Sequence, residues 1–357
     1  MNKYKVSGTT SLFSESYRLD KLSKQGDPLE RLNKVVKWEF FRVTIEKIYT
    51  EKLVNSGPKP YDPLLMFKIL ILQRYYNLSD SQIEYQILDR LTFCRFLGLT
   101  LNDKVPDEKT VWEFRNKLIN KGLEKELFLK FATLLELHGL IAHEGKIIDA
   151  SFVEAPRQRN SREKNKEIKG GNTPKEWDNE PNKKRQKDVD ARWTKKNSQN
   201  YYGYKDHIKA DNKHKFIETY TTTDASVHDS QALDDLLTKK DEGQNLWADS
   251  AYTGKEQKKI IKKYKIKNKV HEKGYKNKPL TDAQKESNTE KSKTRARVEH
   301  VFGFMEQSMN KLYVRSVGIK RATGFVGLVN LTYNLFRYEQ VTRLDGIVMP
   351  SWQIKNI

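Results

Sequence analysis

The sequence predicts a mixed α/β domain preceded by an all-helical region. Up to about residue 140, apolar residues recur at the three- and four-residue spacing of helices that bury one face. After Lys146, short apolar runs rich in β-branched residues alternate with helical patterns, which is typical of a sheet flanked by helices. Acidic residues follow two of these runs, where α/β folds tend to place their active sites. We therefore expect a helical domain at 1–140 and an α/β domain at 145–345.

Turn and capping residues set the expected boundaries in the helical region. Ser79 or Asp80 can cap one helix, Pro106-Asp107 opens another, and Gly139 suits a helix stop. Beyond residue 145, the pattern predicts strands at 146–155, 201–210, 215–225, 245–252 and 266–270, helices at 230–240, 254–264, 294–312 and 325–338, and a loop at 273–293.

Residues 157–200 interrupt the α/β pattern with a stretch dense in Lys, Arg and Asn. This stretch is too polar to predict a packed core, so we expect a long exposed or mobile insertion. Its cations could contact phosphates, and Trp193, Tyr201 and Tyr202 could stack on bases. The alternative is a solvated loop with no partner.

Charge narrows the classes of partner. The chain carries 67 Lys and Arg against 47 Asp and Glu, a net charge of +20. This excess favours a polyanion, with nucleic acid first and an acidic membrane second, over a basic protein that is merely soluble.

The most apolar stretch, 63–72, is too short to span a bilayer, and the N-terminus has no apolar run typical of a signal. Cys94 is the only cysteine, so an internal disulfide is excluded and a reducing, cytoplasmic setting fits.

Three acids are candidates for chemistry, although each has an ordinary explanation on its own. Asp149 ends an apolar strand and could simply form a turn. Asp249 ends the next such run and could cap a helix. Glu299 lies one helical turn after Arg295, and a surface ion pair between them would contribute only ~0.5 kcal/mol.

Taken together, the three acids indicate a metal site. Two strand-borne aspartates and a helix-borne glutamate offer the hard oxygen ligands that suit two Mg²⁺ or Mn²⁺ ions. Such a pair can activate a water or a 3′-hydroxyl and stabilise a leaving oxygen in phosphoryl transfer. The rival acids are weaker candidates: strand structure should end near Glu154, and Asp229 can cap the following helix. His207 and His228 could line the site, but a lone histidine is more often structural.

At these residues the chain resembles bacterial insertion-sequence transposases of the Asp-Asp-Glu (DDE) class, in the branch of the IS-five and IS-four groups. The segments that carry the resemblance occur in the family's order: KIIDASFVEAP, DARWTKKNSQNYYGYKDHIKAD, TTTDASVHDSQ, LWADSAYTG and RARVEHVFGFME. Two earlier segments, YDPLLMFKILILQRYYNLSDSQIE and FCRFLGL with VPDEKTVWEFRNKL, resemble the helical domain that precedes the catalytic core in that branch.

The resemblance implies an RNase H-like catalytic domain with Asp149 on its first strand, Asp249 just after its fourth and Glu299 on a later helix. It implies that these three residues bind metal and that Arg295 assists catalysis. The family's signature around the glutamate also has a tyrosine and a lysine, and these positions fall on Ser292 and Glu306. The mismatch puts in question how the transferred DNA end is held.

The expected activity is therefore metal-dependent strand cleavage and strand transfer by a DNA transposase in the bacterial cytoplasm. The expected partners are double-stranded DNA, as terminal inverted repeats and target, and a second copy of the chain, with no membrane. Residues 78–118 are the best candidate for a helix-turn-helix. Two alternatives stay open: a catalytically impaired DNA-binding remnant or repressor, and a nuclease of the same fold that cuts without joining.

Overall fold

The computed structural model describes residues 13–49, 59–196 and 198–353. The part before residue 140 is helical throughout its described residues, as predicted. Its helices are α1 (Ser14–Lys24), α2 (Pro28–Val35), α3 (Arg42–Glu46), α4 (Pro63–Tyr75), α5 (Asp80–Asp89), α6 (Leu91–Leu97), α7 (Glu108–Asn120) and α8 (Leu123–Leu137), with a 3-10 turn at Trp38–Phe41.

Local hydrogen bonds explain where these helices begin and end. Ser79 caps α5, because its hydroxyl accepts from the Gln82 N–H at 3.2 Å while the Gln82 side chain accepts from the Ser79 N–H. Asp107 caps α7 by accepting from the Thr110 N–H at 2.7 Å. Gly139 follows α8 with a φ of +68°, a conformation that favours glycine. These boundaries agree with the predicted ones.

A mixed sheet forms the second half of the molecule. Its strands are β1 (Gly145–Glu154), β2 (Arg192–Lys196), β3 (Gln199–Asp211), β4 (Ile217–Asp224), β5 (Asn245–Trp247) and β6 (Lys267–Asn268). The order β4-β3-β1-β5-β6 has antiparallel pairing as far as β1 and parallel pairing beyond it, while β2 pairs with the start of β3. This is an RNase H-like sheet, which confirms the predicted fold class.

Helices lie around the sheet at α9 (Arg162–Lys169), α10 (Pro181–Gln186), α11 (Leu233–Leu236), α12 (Lys255–Lys263), α13 (Asp282–Arg295), α14 (Glu299–Gln307) and α15 (Ile319–Asp345). Short 3-10 turns occur at Lys175–Asn179, Asp229–Ala232, Lys239–Asp241, Ser250–Tyr252 and Ala296–Val298. None of the helices in the described ranges is long and apolar enough to cross a membrane.

The predicted loop at 273–293 was wrong over its second half, which belongs to α13. Thr281 caps that helix in a reciprocal arrangement with Gln284. The helix was missed because it buries no residue and therefore shows no apolar stripe. The predicted strand at 245–252 was too long, because β5 ends at Trp247 and a 3-10 turn follows.

Adjacent residues of β1 point into different cores. Ile147 belongs to a large core that also contains residues of α4, α8 and α15, whereas Ile148 belongs to a smaller core built with α11 and α12. The long helix α15 packs against β4 on one side and against α4 and α8 on the other. The helical region and the sheet therefore share one hydrophobic core.

The insertion at 157–200 is more ordered than its composition predicts. It folds into α9, α10 and β2 around Trp177, which is fully buried, and Ile168. Trp193 is 43% exposed and available to stack, but Tyr202 is buried at 6% exposure, so its predicted stacking role is wrong. Apolar side chains are therefore buried even in this otherwise polar segment.

Candidate active site

Two aspartates stand at the same level of the sheet. Asp149 lies in the middle of β1, not at the strand end that was predicted, because β1 continues to Glu154, and Asp249 lies just after β5. Parallel pairing of β1 with β5 aligns Ile147 with Trp247, and Asp149 and Asp249 each follow that pair by two residues. Neighbouring strands lie about 4.8 Å apart, and residues two apart share a face of the sheet. The register therefore brings the two carboxylates together, and the charge of Asp249 raises the pKa of Asp149 accordingly.

Asp149 is held in a poorly solvated position. Its side chain is 20% exposed, and its Oδ1 accepts from the Ala150 N–H at 2.8 Å. Burial is the main cause that raises its pKa to about 6, and the Asp249 charge adds to it, while the Ala150 N–H and the Arg295 guanidinium oppose it. A carboxylate in this position is a poor anion unless a cation accompanies it.

Asp249 is oriented by the turn that follows β5. Its Oδ1 accepts from the Ala251 N–H at 2.8 Å and so caps the 3-10 turn at Ser250–Tyr252. This turn buries Tyr252, whose hydroxyl makes no hydrogen bond within the described residues. Burial and the charges of Asp229, Asp149 and Asp249 raise the pKa of Tyr252, which keeps its hydroxyl protonated beside the acids.

Arg295 connects the strand that carries Asp149 with the helix that carries Glu299. Its guanidinium lies 3.4 Å from Asp149 Oδ2 and 3.3 Å from Glu299 Oε1, at the end of α13. Both distances exceed the 2.7–2.9 Å of strong charge-assisted hydrogen bonds, so the bridge is loose. The predicted pair one helical turn apart is present, and the contact with Asp149 is an addition that the sequence did not predict. Glu299 is 64% exposed and free to turn.

Further residues approach the acids without having been predicted. The backbone N–H of His271 donates to the Ala248 carbonyl at 3.1 Å, and the ring Nε2 of His271 lies 3.3 Å from the Ser292 hydroxyl. Burial, with the nearby charges of Arg295 and Lys291, lowers the pKa of His271. The sequence offered no signal for this histidine, since it lies in a short segment without apolar periodicity.

The rival acid and histidines have structural partners. The prediction that Asp229 caps the following helix was wrong: Asp229 pairs with Lys205 at 2.8 Å, and the His228 ring accepts from the Ser230 N–H in its place. His207 is fully buried and its Nε2 lies 2.8 Å from the Thr223 hydroxyl. These contacts fit the ordinary explanation for both histidines.

The carboxylate site, by which we mean Asp149, Asp249 and Glu299 with Arg295, fits a hard divalent cation by its chemistry. All three acids present oxygen ligands, and burial together with the charge of Asp249 raises the pKa of Asp149, an unfavourable arrangement that a bound cation would offset. Over the described part of the chain, no three His, Cys, Asp or Glu side chains are yet grouped closely enough to hold a metal ion. Glu299 faces Arg295 instead, and its exposure leaves it room to turn inwards.

The two positions that depart from the family's signature lie on either side of Glu299. The Ser292 hydroxyl donates to the Asn288 carbonyl at 2.8 Å within α13. Glu306 is half-buried on α14, and burial together with the charge of Glu154 raises its pKa. Neither residue contacts the three acids through a hydrogen bond or ion pair among the described residues.

Comparisons with known proteins assign both parts of the chain to transposase families. A family model described as a transposase domain (DUF772) matches residues 17–117, and one described as a transposase DDE domain matches residues 142–335. A cryo-EM structure of a piggyBac transposase synaptic complex with hairpin DNA aligns with a TM-score of 0.45 and 14% identity, covering 90% of this chain and 75% of that one. Assignment to the IS-five and IS-four branch stays a prediction. Because the DDE domain model spans more than half of the 357 residues, the chain belongs to the DDE transposase family.

Proposed function

We propose that this protein binds the terminal inverted repeats of an insertion sequence and catalyses metal-dependent cleavage and transfer of DNA strands. The observation that carries the proposal is the shared level of Asp149 and Asp249 on β1 and β5, with Arg295 joining Asp149 to Glu299. An acid within β1, a second acid just after β5 at the same level, and an exposed acid on a helix are suited to hold cations against a phosphodiester.

In this proposal Asp149, Asp249 and Glu299 hold two divalent ions, Mg²⁺ or Mn²⁺. Such ions neutralise charge on the reacting phosphate and activate a water or 3′-hydroxyl. The chain's own contribution is to position the acids: the N–H groups of Ala150 and Ala251 each fix one aspartate oxygen at 2.8 Å. Arg295 keeps the acids from repelling one another and has donors left for a DNA phosphate.

Duplex DNA is the partner that the charge supports best. The net charge of +20 favours a polyanion, and the charge of Lys196, on β2 of the insertion, reaches Asp149 strongly enough to lower its pKa. The basic insertion and the carboxylate site therefore face a common DNA surface in this proposal. We also propose that the protein acts as a homodimer on DNA in the bacterial cytoplasm, since a transposable element has two ends to be joined.

The decisive experiment incubates the protein with Mg²⁺ and DNA that carries candidate inverted repeats, and scores both nicked and joined products. Asp149→Asn, Asp249→Asn and Glu299→Gln should each abolish both products while leaving DNA binding intact. Asp282→Asn is the matched control, because Asp282 is a carboxylate that is 98% exposed at the start of α13.

The products also separate this proposal from its alternatives. Nicks without joined products would indicate a nuclease of the same fold. DNA binding with no metal-dependent product from the parent protein would indicate a repressor or remnant, in which Ser292 and Glu306 have replaced residues needed to hold the DNA end.

A further inference from the structure

A second charged site lies where the helical region meets α15. A cavity of about 140 Å³ opens there between α4, the start of α5, α7 and the segment at 315–325. Four arginines line it: Arg74, Arg115, Arg315 and Arg321. We refer to these four residues and their cavity as the arginine pocket.

The arginine pocket has more cations than anions. Asp80 pairs with Arg115, and its Oδ2 accepts from the Arg115 Nη2 at 2.8 Å. The other three guanidinium groups have no carboxylate partner in the part of the chain that the structure describes. Arg315 donates instead to Asn77, and Arg321 to the Val317 carbonyl. Four guanidinium groups against one carboxylate leave an excess of three positive charges.

Arg74 is the least compensated member. It is 8% exposed, its Nη2 donates to the Gln73 amide oxygen at 2.7 Å, and its guanidinium lies 4.8 Å from the centre of the Phe325 ring. The buried Nε makes no hydrogen bond within the described ranges. Burial and the charges of Arg115 and Arg315 lower the pKa of Arg74 to about 9.

An arrangement of this kind opposes folding unless a ligand completes it. A buried cation is costly when it has no anion, and nearby like charges add to the cost. Gln73 and Phe325 contribute a neutral acceptor and a ring face, which compensate one guanidinium in part. Neither neutralises the charge of Arg315 or Arg321.

We propose that the arginine pocket binds a phosphate group of the DNA backbone, at a site separate from the reacting phosphate. Guanidinium forks match the paired oxygens of a phosphate, and a cavity of about 140 Å³ accommodates one. Arg315 and Arg321 are exposed and can meet a duplex from outside, while Arg74 closes the cavity from within. The assignment to DNA, as opposed to free phosphate, rests on the proposed function.

The position of the pocket suits a duplex that also reaches the carboxylate site. The Val314 N–H donates to the Glu154 carbonyl at 2.9 Å, so Arg315 directly follows a residue anchored at the end of β1. Asp149 lies five residues back along the same strand, about 17 Å away at the usual rise per residue. That backbone distance, from Asp149 to the residue that anchors Val314, corresponds to about five base-pair steps, which is within the length of one short duplex.

The test uses the full chain with two substitutions on the exposed side of the pocket, Arg315→Gln and Arg321→Gln together. The matched control, Arg18→Gln with Lys24→Gln, removes two positive charges from exposed positions on α1. DNA affinity for a short duplex is measured by fluorescence anisotropy over a range of salt concentrations. Melting temperature is measured in inorganic phosphate and in chloride at equal ionic strength, because phosphate also stabilises proteins non-specifically.

We expect the pocket variant, but not the control, to lose the extra stabilisation by phosphate. Its slope of log affinity for DNA against log salt concentration should also be shallower by about 0.9, which corresponds to one lost phosphate contact. Equal behaviour of the two variants in both assays would overturn the proposal. Loss of the phosphate effect with an unchanged DNA slope would also overturn it, because the ligand would then be free phosphate. A parent protein that binds DNA with this pocket dependence but makes no cleaved product would refute the proposed function alone.

Discussion

The carboxylate site holds three acids and one guanidinium, whereas the arginine pocket holds four guanidinium groups and one acid. Each site gathers like charges around a single counter-charge, and in each a buried group lacks a hydrogen-bond partner among the described residues. Interiors tolerate such an excess of charge poorly. The comparison indicates that both sites are incomplete without a ligand, and that the two ligands have opposite charge.

The two sites also differ in what positions their side chains. In the carboxylate site, backbone N–H groups hold Asp149 within β1 and Asp249 just after β5, so the sheet itself determines where the oxygens lie. In the arginine pocket, long side chains from three helices and from the segment before α15 meet, and Arg74, Arg315 and Arg321 hydrogen-bond to amides and carbonyls. The first arrangement suits chemistry, which needs fixed atoms, and the second suits a grip on a backbone that carries no sequence information.

The largest effect is expected from Asp149→Asn. The change removes a negative charge from the position where the two aspartates meet, so we expect a loss of strand cleavage well beyond the ~100-fold that losing an orienting partner costs. The salt slope of DNA binding should not change, because the arginine pocket is untouched. Strand cleavage is measured with a labelled duplex in saturating Mg²⁺, and the salt slope of DNA binding is measured by fluorescence anisotropy. A variant that still cleaves at a tenth of the parent rate would remove Asp149 from the chemistry.

The next effect concerns Asp206, a fully buried acid that belongs to neither charged site. It shows how a buried charge behaves without access to a ligand, and so serves as a reference for the two sites. It is fully buried, Asn330 donates to its Oδ1 at 3.2 Å, and burial raises its pKa from 3.8 to about 7. Among the described residues, the charge of Asp206 raises the pKa of its titratable neighbour Tyr220. Because the folded state binds the proton more tightly, stability should fall as pH rises from about 4 to about 7.

Asp206→Asn should remove this dependence. Relative to the variant, the parent should lose roughly 3 to 4 kcal/mol of unfolding free energy across the window, since a pKa difference of about three units corresponds to that amount. Urea unfolding of both proteins at about pH 4 and about pH 8 measures the difference. Parallel changes in parent and variant would mean that Asp206 is solvated or paired when the protein is in solution.

A smaller effect is expected from Arg295→Ala. The protein should fold normally, cleave about 10–100-fold more slowly and need more Mg²⁺ for half its maximal stabilisation against heat, because Arg295 orients Glu299 and separates the acids. Arg295→Lys should restore little, since an ammonium cannot reproduce the planar fork. Lys293→Ala is the control on the same helix, because Lys293 pairs with the exposed Glu290. If Arg295→Ala cut at the parent rate, the guanidinium would be no more than a surface ion pair.

The smallest effect is expected from Phe325→Leu in the arginine pocket. The change removes the ring face beneath Arg74 and should cost about 1 kcal/mol more unfolding free energy than a leucine substitution at an ordinary buried phenylalanine. Phe114→Leu supplies that comparison, because Phe114 is 4% exposed and Phe325 is 5% exposed. Equal losses in the two variants, measured by urea unfolding, would show that Phe325 only fills space.

The predictability of the carboxylate site follows from how it is built. Asp149 and Asp249 each end an apolar run, and Arg295 and Glu299 are one helical turn apart, so each piece is visible within a few residues of sequence. The contact between Arg295 and Asp149 joins residues 146 positions apart and depends on how α13 leans on the sheet. Local pattern contains no information on that angle.

The errors have separate physical origins. Helix α13 buries nothing, so its helical period had no apolar residue to display it. The insertion was predicted to be open because its average composition is polar, but it buries Trp177 and pairs β2 with β3. The arginine pocket was invisible for a third reason: Arg74, Arg115 and Arg321 come from three helices separated in the chain, and each looks like an ordinary surface cation in its own segment.

The packing of α15 has a consequence for how the protein is made. This helix covers α4 and α8 as well as β4, and Glu339 on it accepts from the Arg31 Nε at 3.0 Å, across 308 residues. A growing chain therefore emerges from the ribosome with the apolar faces of its first helices uncovered until nearly all of it has been synthesised. We expect a product that stops before Ile319 to be cleared by proteases or to aggregate, and not to survive as a free DNA-binding fragment.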